Sequence, residues 1–240
     1  MTSIVKRVTD VAARIVLKPA TVGAVTEHGP FRILELTGAR LVGADWSPGD
    51  KLRVRADDGF SLRTYTPMSW DRERGTTRVL SYLHGAGPGS DWSRRAQPGD
   101  PCELLGPDRS VRLDRLQVPP VFVGDETSFG LLVALCTSRP EMTPVVAALE
   151  VADERTATAT LRALDVDDFR LFARAPGDAH LAGFAAAVVE GLNAHPGASF
   201  VISGRAQTIA AVRRSLNAAG ATPSVTMVKA YWDVNRKGLD

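Results

Sequence analysis

Cysteine is scarce in this sequence, and its scarcity excludes several classes of protein. Only Cys102 and Cys136 occur among 240 residues, and they lie far apart and form no CxxC pair. A disulfide-stapled scaffold, a structural zinc site and an iron–sulfur cluster all need more cysteines at closer spacing. We therefore expect two buried thiols and no resident metal ion.

Long apolar runs and an excess of charge of one sign are also missing. Charged residues interrupt the apolar positions of the first 20 residues, so neither a signal peptide nor a membrane span is predicted, and we expect a cytoplasmic protein. The 29 basic and 27 acidic side chains give a formal net charge of +2. This balance argues against a nucleic-acid partner.

The first half of the chain has the pattern of an antiparallel β-domain. Alternating segments separated by turns occupy residues 21–38, 51–68, 76–85 and 102–107, and the first two ranges contain two segments each. Six strands in close succession predict a small antiparallel barrel.

After residue 119 short apolar segments alternate with helical patterns. Strands are expected at 120–124, 143–151, 199–204 and 223–232, with helices at 127–139, 178–197 and 206–220. Thr127 or Ser128 is expected to cap the first of these helices. Alternation of this kind predicts a parallel sheet covered on both faces. We place the barrel domain at residues 1–115 and the α/β domain at 116–240.

The stretch SLRTYTPMSWD at positions 61–71 places unusual side chains on one strand. Arg63 and Tyr65 are two residues apart, so both point to one face, while Thr64 and Thr66 point to the other. One face thus offers a cation beside an aromatic ring. A barrel strand whose Tyr and Arg only cover the surface would have the same pattern.

Two loops have features of anion or ligand sites. In LHGAGPGSDW, at positions 83–92, three alternating glycines let backbone N–H groups approach a phosphate, although the same letters suit a simple connecting loop. VGDETS, at positions 123–128, follows the first α/β strand, where open parallel sheets bind ligands. Its acidic residues also fit a helix capping box. A GxGxxG fingerprint is absent, which excludes the binding mode of ordinary NAD dehydrogenases.

Taken in order, these motifs carry a family resemblance. From about residue 15 to its end, the chain resembles the siderophore-interacting, FAD-binding ferric-siderophore reductases of the ferredoxin–NADP reductase superfamily. The residues that carry the resemblance are RTYTP at 63–67, LHGAGPGSDW at 83–92, PGD at 98–100, GDETS at 124–128 and KAYW at 229–232.

The resemblance implies that the barrel binds FAD and assigns residues to it. Tyr65 would lie against the isoalloxazine, Thr66 would face its polar edge, and Arg63 would pair with phosphate. The implied cofactor-binding set is Arg63, Thr64, Tyr65, Thr66, His84, Gly87, Gly89, Ser90, Asp125, Thr127, Tyr231 and Trp232.

The resemblance also implies an activity, in which FAD carries electrons to the iron of a ferric siderophore and no protein side chain acts as a catalytic group. NADPH, NADH or ferredoxin would supply the electrons. Lys229, Arg236 and Lys237 would offer cations to an anionic siderophore. Alternatively, these cations belong to a frayed basic terminus anchored by Tyr231 and Trp232.

Two positions depart from the family pattern. Met68 stands where a second arginine is often found, so a contact to the flavin phosphate could be weakened. Arg205 stands where an acid is usual, and either it binds the 2′-phosphate of NADPH or it faces solvent at a helix start. A generic flavin reductase without a siderophore partner and a non-catalytic barrel that has lost flavin stay as alternative interpretations.

Overall fold

The computed structural model describes residues 17–56, 61–85 and 87–234, which build two sheets. The first sheet is antiparallel and contains seven strands in the order β4-β3-β7-β1-β2-β6-β5. Its strands are β1 (Lys18–His28), β2 (Phe31–Thr37), β3 (Lys51–Arg55), β4 (Leu62–Tyr65), β5 (Pro67–Asp71), β6 (Thr76–Tyr82) and β7 (Pro101–Asp108). The short helix α1 (Pro88–Arg95) lies between β6 and β7.

A single residue closes this sheet into a barrel. β4 and β5 stand at opposite ends of the strand order, yet only Thr66 separates them in the chain. Six strands were expected; the fourth is divided because Pro67 has no N–H for the ladder, and β4 pairs with β3 while β5 pairs with β6. The predicted antiparallel barrel is otherwise confirmed.

The second sheet is parallel, with the order β10-β9-β8-β11-β12. Its strands are β8 (Pro120–Asp125), β9 (Val146–Val151), β10 (Arg170–Ala173), β11 (Ser199–Arg205) and β12 (Thr226–Trp232). The helices are α2 (Phe129–Ser138), α3 (Glu154–Arg162), α4 (Leu181–Ala194) and α5 (Ala206–Ala219). In the described parts of the chain no helix has the length and apolarity needed to span a membrane.

The sequence reasoning missed α3 and β10 in this domain. Both are short, and β10 has only four residues, the outer two of which are exposed, so its apolar signal is weak. The predicted parallel α/β domain is confirmed, with one strand more than expected. The predicted boundary at residue 115 falls between the end of β7 and the start of β8.

Helix α2 joins the two sheets through a shared apolar core. Phe129 stacks on Phe31 of the barrel with ring centroids 5.2 Å apart, and Met68 of β5 is buried in the same cluster. A Cβ on Gly130 would lie 2.9 Å from the carbonyl oxygen of Thr66, so this glycine lets the helix approach the β4–β5 junction closely. The contact fixes the parallel sheet directly behind the residue that closes the barrel.

The burial of Met68 gives a first prediction. The side chain is 1% exposed, so Met68→Arg would place a cation in the core that joins the two sheets, and would not restore a phosphate contact. We expect M68R to lower the free energy of unfolding by about 3 kcal/mol or more, measured by urea denaturation. The control M68L should cost less than about 1.5 kcal/mol. An M68R variant as stable as the wild type would show that this side chain can leave the core.

Candidate functional site

Strand β4 and helix α1 together form the first part of the candidate site. Arg63 and Tyr65 lie on the same side of β4, as predicted, because a Cβ on Gly89 would lie 3.2 Å from Cγ of Arg63 and 3.4 Å from the hydroxyl of Tyr65. The Tyr65 hydroxyl donates to the carbonyl oxygen of Gly89 at 3.4 Å. The structure thus brings the RTYT strand and the glycine-rich loop into contact.

The residues at the start of α1 fit a phosphate group. Gly87 precedes the helix with φ 157°, Pro88 is its first residue, and no side chain of the described residues caps it. The next backbone N–H groups therefore have no helical partner, and the partial positive charge of the helix end lies beside Arg63. A side chain at position 89 would fill this space. These features match the needs of an FAD pyrophosphate.

The aromatic ring of Tyr65 forms a half-buried wall next to this helix end. Its centroid lies 5.8 Å from that of Trp92, which packs from α1. Burial raises the pKa of Tyr65 to about 12, so the phenol stays protonated and can donate a hydrogen bond. A flat, neutral ring beside a cation and a helix N-terminus is the combination that a flavin dinucleotide requires.

Arg32 fixes the other end of α1, and the sequence analysis missed this residue. Its side chain is 3% exposed, donates to the carbonyl oxygens of Ser93 and Ala96, and lies 2.9 Å from a carboxylate oxygen of Glu27. A cation at a helix C-terminus is stabilising. The sequence of β2 did not predict the burial of Arg32, because a buried arginine cannot be distinguished from a solvent-facing one in the sequence.

The exposed ring of His84 connects the glycine-rich loop to the end of β12. His84 stacks on Trp232 with ring centroids 6.3 Å apart, and the centroid of the Tyr82 ring lies 5.9 Å from that of His84. The hydroxyl groups of Thr66 and Tyr231 are 3.4 Å apart. Residues from both predicted motifs of the barrel therefore meet the predicted KAYW segment.

Asp125 is the central polar residue of the second domain's part of the site. Its buried carboxylate accepts hydrogen bonds from the backbone N–H groups of Thr127 and Arg205, at 2.8 and 2.9 Å, and from the indole of Trp232 at 2.7 Å. A Cβ on Gly204, which has φ +107°, would lie 2.5 Å from this carboxylate. Glycine at 204 therefore allows the carboxylate of β8 to reach the backbone of β11.

The capping of the segment before α2 differs from the prediction. Thr127 or Ser128 was expected to cap, but Asp125 accepts the backbone bond and forms a capping box with Ser128. Ser128 stands at the N-cap position of α2 itself without a side-chain cap bond. The physical reason is the short helical turn 126–128 that precedes α2. Because of this turn, the first backbone N–H groups without a helical partner lie next to the side chain of Asp125. The capping-box interpretation of VGDETS is thus correct for Asp125.

A buried network of charges covers the carboxyl ends of the parallel strands. Arg174, just after β10, makes two bonds to Glu126 at 2.8 and 2.6 Å and one to Glu150 at 2.9 Å. Glu150 also accepts from Thr208 and lies 3.1 Å from His180 Nε2. Arg174, Glu150 and His180 escaped the sequence analysis. For Arg174 the available signal was its position just after a strand, and it was hidden because β10 itself was missed. Glu150 lies on the predicted strand β9, where the sequence does not show its buried partners.

Arg205 corrects one of the alternatives given above. It does not face solvent: the residue is 7% exposed, and its guanidinium binds both carboxylate oxygens of Asp178, at 2.6 and 3.1 Å. It also lies over the ring of Trp232, 5.8 Å from the centroid, and Arg174 lies at 5.7 Å from the same ring. Both guanidinium groups therefore contact the indole ring of Trp232.

The remaining predicted residues are less closely connected. Thr64 pairs with Arg53 of β3 and lies on the face opposite Tyr65. Ser90 is buried in the first turn of α1, and Lys229 is half-buried on β12 two residues before Tyr231. Arg236 and Lys237 lie outside the described residues.

Comparisons with known proteins agree with this geometry. Residues 36–111 match the family model described as the siderophore-interacting FAD-binding domain. No curated protein matches the sequence. Among solved structures, the siderophore-interacting protein SipS from Aeromonas hydrophila has a TM-score of 0.68 and 21% identity, over 92% of this chain and 94% of that one.

Two further structures have the same fold within larger proteins. The ferredoxin reductase in carbazole 1,9a-dioxygenase has a TM-score of 0.72 and 18% identity, over 90% of this chain and 69% of that one. Full-length CYP116B46 from Tepidiphilus thermophilus has a TM-score of 0.72 and 19% identity, over 92% of this chain. The chain spans 29% of the length of that cytochrome.

The likeness in fold defines the architecture first: an antiparallel barrel joined to a parallel α/β domain, an arrangement also found in the ferredoxin reductase in carbazole 1,9a-dioxygenase. The family model is more specific, because residues 36–111 match the siderophore-interacting FAD-binding domain. This match agrees with the resemblance seen in the sequence. This match contains Arg63, Tyr65 and the start of α1, and it supports FAD as the cofactor.

The environment of Asp125 gives a pH prediction. Burial raises its pKa to about 6, and hydrogen bonds from Thr127 and Trp232 oppose that rise. Since the folded state binds this proton more tightly than the unfolded chain, the group's contribution to stability is complete below about pH 4. It is lost as the pH rises through about 6 and amounts to about 3 kcal/mol.

The free energy of unfolding of the wild type should therefore fall by that amount between about pH 4 and 7. We expect Asp125→Asn to abolish this fall, measured by urea denaturation across this range. Asp153→Asn is the control, because hydrogen bonds from Thr156 lower the pKa of exposed Asp153 and its effect has the opposite sign. Identical pH profiles for D125N and the wild type would show that Asp125 does not titrate in this window.

Proposed function

We propose that this protein is an FAD-dependent reductase that converts Fe(III)-siderophore to Fe(II) and so releases iron in the cytoplasm. The observation that carries the proposal is the match of residues 36–111 to the siderophore-interacting FAD-binding domain, together with the arrangement of Arg63, Tyr65 and α1 inside that range. The similarity in fold to SipS over nearly the full length of both chains supports it.

In this proposal the barrel holds the cofactor. The start of α1 and Arg63 bind the pyrophosphate, and Tyr65 lies against the isoalloxazine. His84, Gly87, Gly89 and Ser90 complete the phosphate side. When bound, FAD supplies the redox chemistry, accepting two electrons and passing them on singly.

The second domain borders the ring end of the proposed flavin position. Thr66 and Tyr231, whose hydroxyls are 3.4 Å apart, face the junction of the two domains. Asp125 and Thr127 shape the loop at the end of β8, and Asp125 holds Trp232 in place through the indole N–H.

Electrons would come from NADPH, NADH or ferredoxin. With a pyridine nucleotide, one hydride donor reduces two ferric ions and releases one proton. Lys229, with Arg236 and Lys237, would attract the anionic iron chelate. The iron leaves because hard oxygen ligands hold Fe(II) less tightly than Fe(III).

A second candidate is an electron-transfer reductase that serves a protein partner without a siderophore. The observation that favours it is the TM-score of 0.72 to the ferredoxin reductase of carbazole 1,9a-dioxygenase, which is as high as the likeness to the siderophore proteins. The two candidates share the flavin site and differ only in the electron acceptor.

Flavin retention tests the cofactor site. Removing the cation and the ring in Arg63→Ala combined with Tyr65→Ala should weaken FAD binding by roughly 100-fold, since one charge-assisted hydrogen bond alone contributes about 1.5–3 kcal/mol. The dissociation constant is measured by quenching of flavin fluorescence. Arg95→Ala, which removes an exposed arginine near the C-terminal end of α1, is the matched control and should bind FAD normally. Normal FAD affinity in the double variant would contradict the assigned site.

The electron acceptor is tested separately. The FAD-loaded protein is reduced anaerobically with dithionite, the excess is removed, and ferric siderophores of several chemical types are added. We expect rapid return of the oxidised flavin spectrum together with formation of Fe(II) trapped by ferrozine. A reduced flavin that ignores every ferric chelate but is reoxidised by a ferredoxin would favour the second candidate.

A further inference from the structure

The carboxyl ends of β8 and β11 form the point where the chain reverses its direction across the parallel sheet. From β8 the chain continues to β9 and β10 on one side, and then crosses to β11 and β12 on the other. Ligands of open α/β sheets bind in the crevice at this switch point. Asp125 ends β8 and Arg205 ends β11, so both stand at its mouth.

Asp178 pairs with Arg205, the cation at the mouth of this crevice, and neutralises its charge. It binds Arg205 through both carboxylate oxygens, and Gln207 donates a further bond to it at 2.6 Å. Asp178 has φ +60°, a conformation that most side chains avoid and that Asp and Asn tolerate best. The carboxylate that pairs with Arg205 is therefore carried by a residue with an unusual backbone conformation. Pairing with Arg205 lowers the pKa of Asp178, so it is ionised at neutral pH.

The side chains of this network have more negative than positive charge. Its two cations are Arg174 and Arg205. His180 accepts a bond from the Ala175 N–H at Nδ1, which leaves Nε2 as the donor toward Glu150. Against these two guanidinium groups stand four carboxylates: Asp125, Glu126, Glu150 and Asp178.

A 2′-phosphate would add about two negative charges to a crevice that already has this surplus, and it would find neither arginine available for bidentate pairing. A dinucleotide with a free 2′-hydroxyl avoids that repulsion. Asp178, whose side chain is 25% exposed, still offers a carboxylate surface to a ribose hydroxyl.

We propose that the Asp178–Arg205 pair makes this edge selective for a pyridine nucleotide without a 2′-phosphate, so that NADH and not NADPH is the nucleotide donor. The inference rests on the proposed use of a pyridine nucleotide by the reductase. Asp178 acts here as a specificity-determining residue, because it pairs with Arg205, the cation that a 2′-phosphate would need.

The test uses NAD⁺ and NADP⁺, which differ only in the 2′-phosphate and donate no electrons, titrated calorimetrically into the FAD-loaded protein. The wild type should bind NAD⁺ more tightly. Asp178→Asn keeps the tolerated backbone conformation and frees Arg205, so it should improve the affinity for NADP⁺ relative to NAD⁺ by about tenfold. Adding Arg205→Met to D178N should abolish that gain.

Asp114→Asn is the matched control, because it removes an exposed carboxylate that also makes two bonds to an arginine, Arg112, away from this crevice. It should leave the ratio of the two affinities unchanged. A wild type that prefers NADP⁺, a D178N variant with an unchanged ratio, or no binding of either nucleotide to any variant would each overturn the inference. None of these outcomes affects flavin binding or iron reduction after dithionite, so failure here is distinct from failure of the proposed function.

Discussion

The buried carboxylate of Asp125 is the contact on which the arrangement of the candidate site depends. It is 1% exposed and accepts bonds from the turn before α2, from the backbone of β11 and from the indole of Trp232. Burial of a carboxylate destabilises the folded state unless hydrogen bonds satisfy the group. The groups that donate to Asp125 are therefore held in the positions that satisfy it. One group thereby fixes two strand ends and the aromatic ring that meets the barrel loop.

The barrel uses a different device to prepare its half of the site. The break at Pro67 lets one segment of chain pair with both edges of the sheet, and it leaves Arg63 and Tyr65 on the strand next to α1. Arg32 binds the far end of that helix, so its free end is directed at the space beside Arg63. Both halves of the site therefore use buried charges as structural supports, with the exposed groups left for the ligand.

Much of the fold was predictable because its periodic segments are long and apolar. The barrel strands, α2, α4, α5 and four of the five parallel strands follow directly from alternation and helical spacing. The segments that were missed, α3 and β10, are short and half-exposed, and their formation depends on packing against neighbours already in place. Missing β10 also concealed Arg174, which lies just after it.

The sequence by itself determined the chemistry of the proposed flavin side: a cation and a ring two residues apart share a strand face, and alternating glycines leave room for an anion. These are local properties, set by the two-residue period of a strand and by the absence of a Cβ. Only the tertiary structure determined the burial and the partners of Arg205, Asp178 and Glu150. Whether an arginine is free or paired depends on residues 27 and 55 positions away in the chain, and sequence spacing contains no information about such a contact.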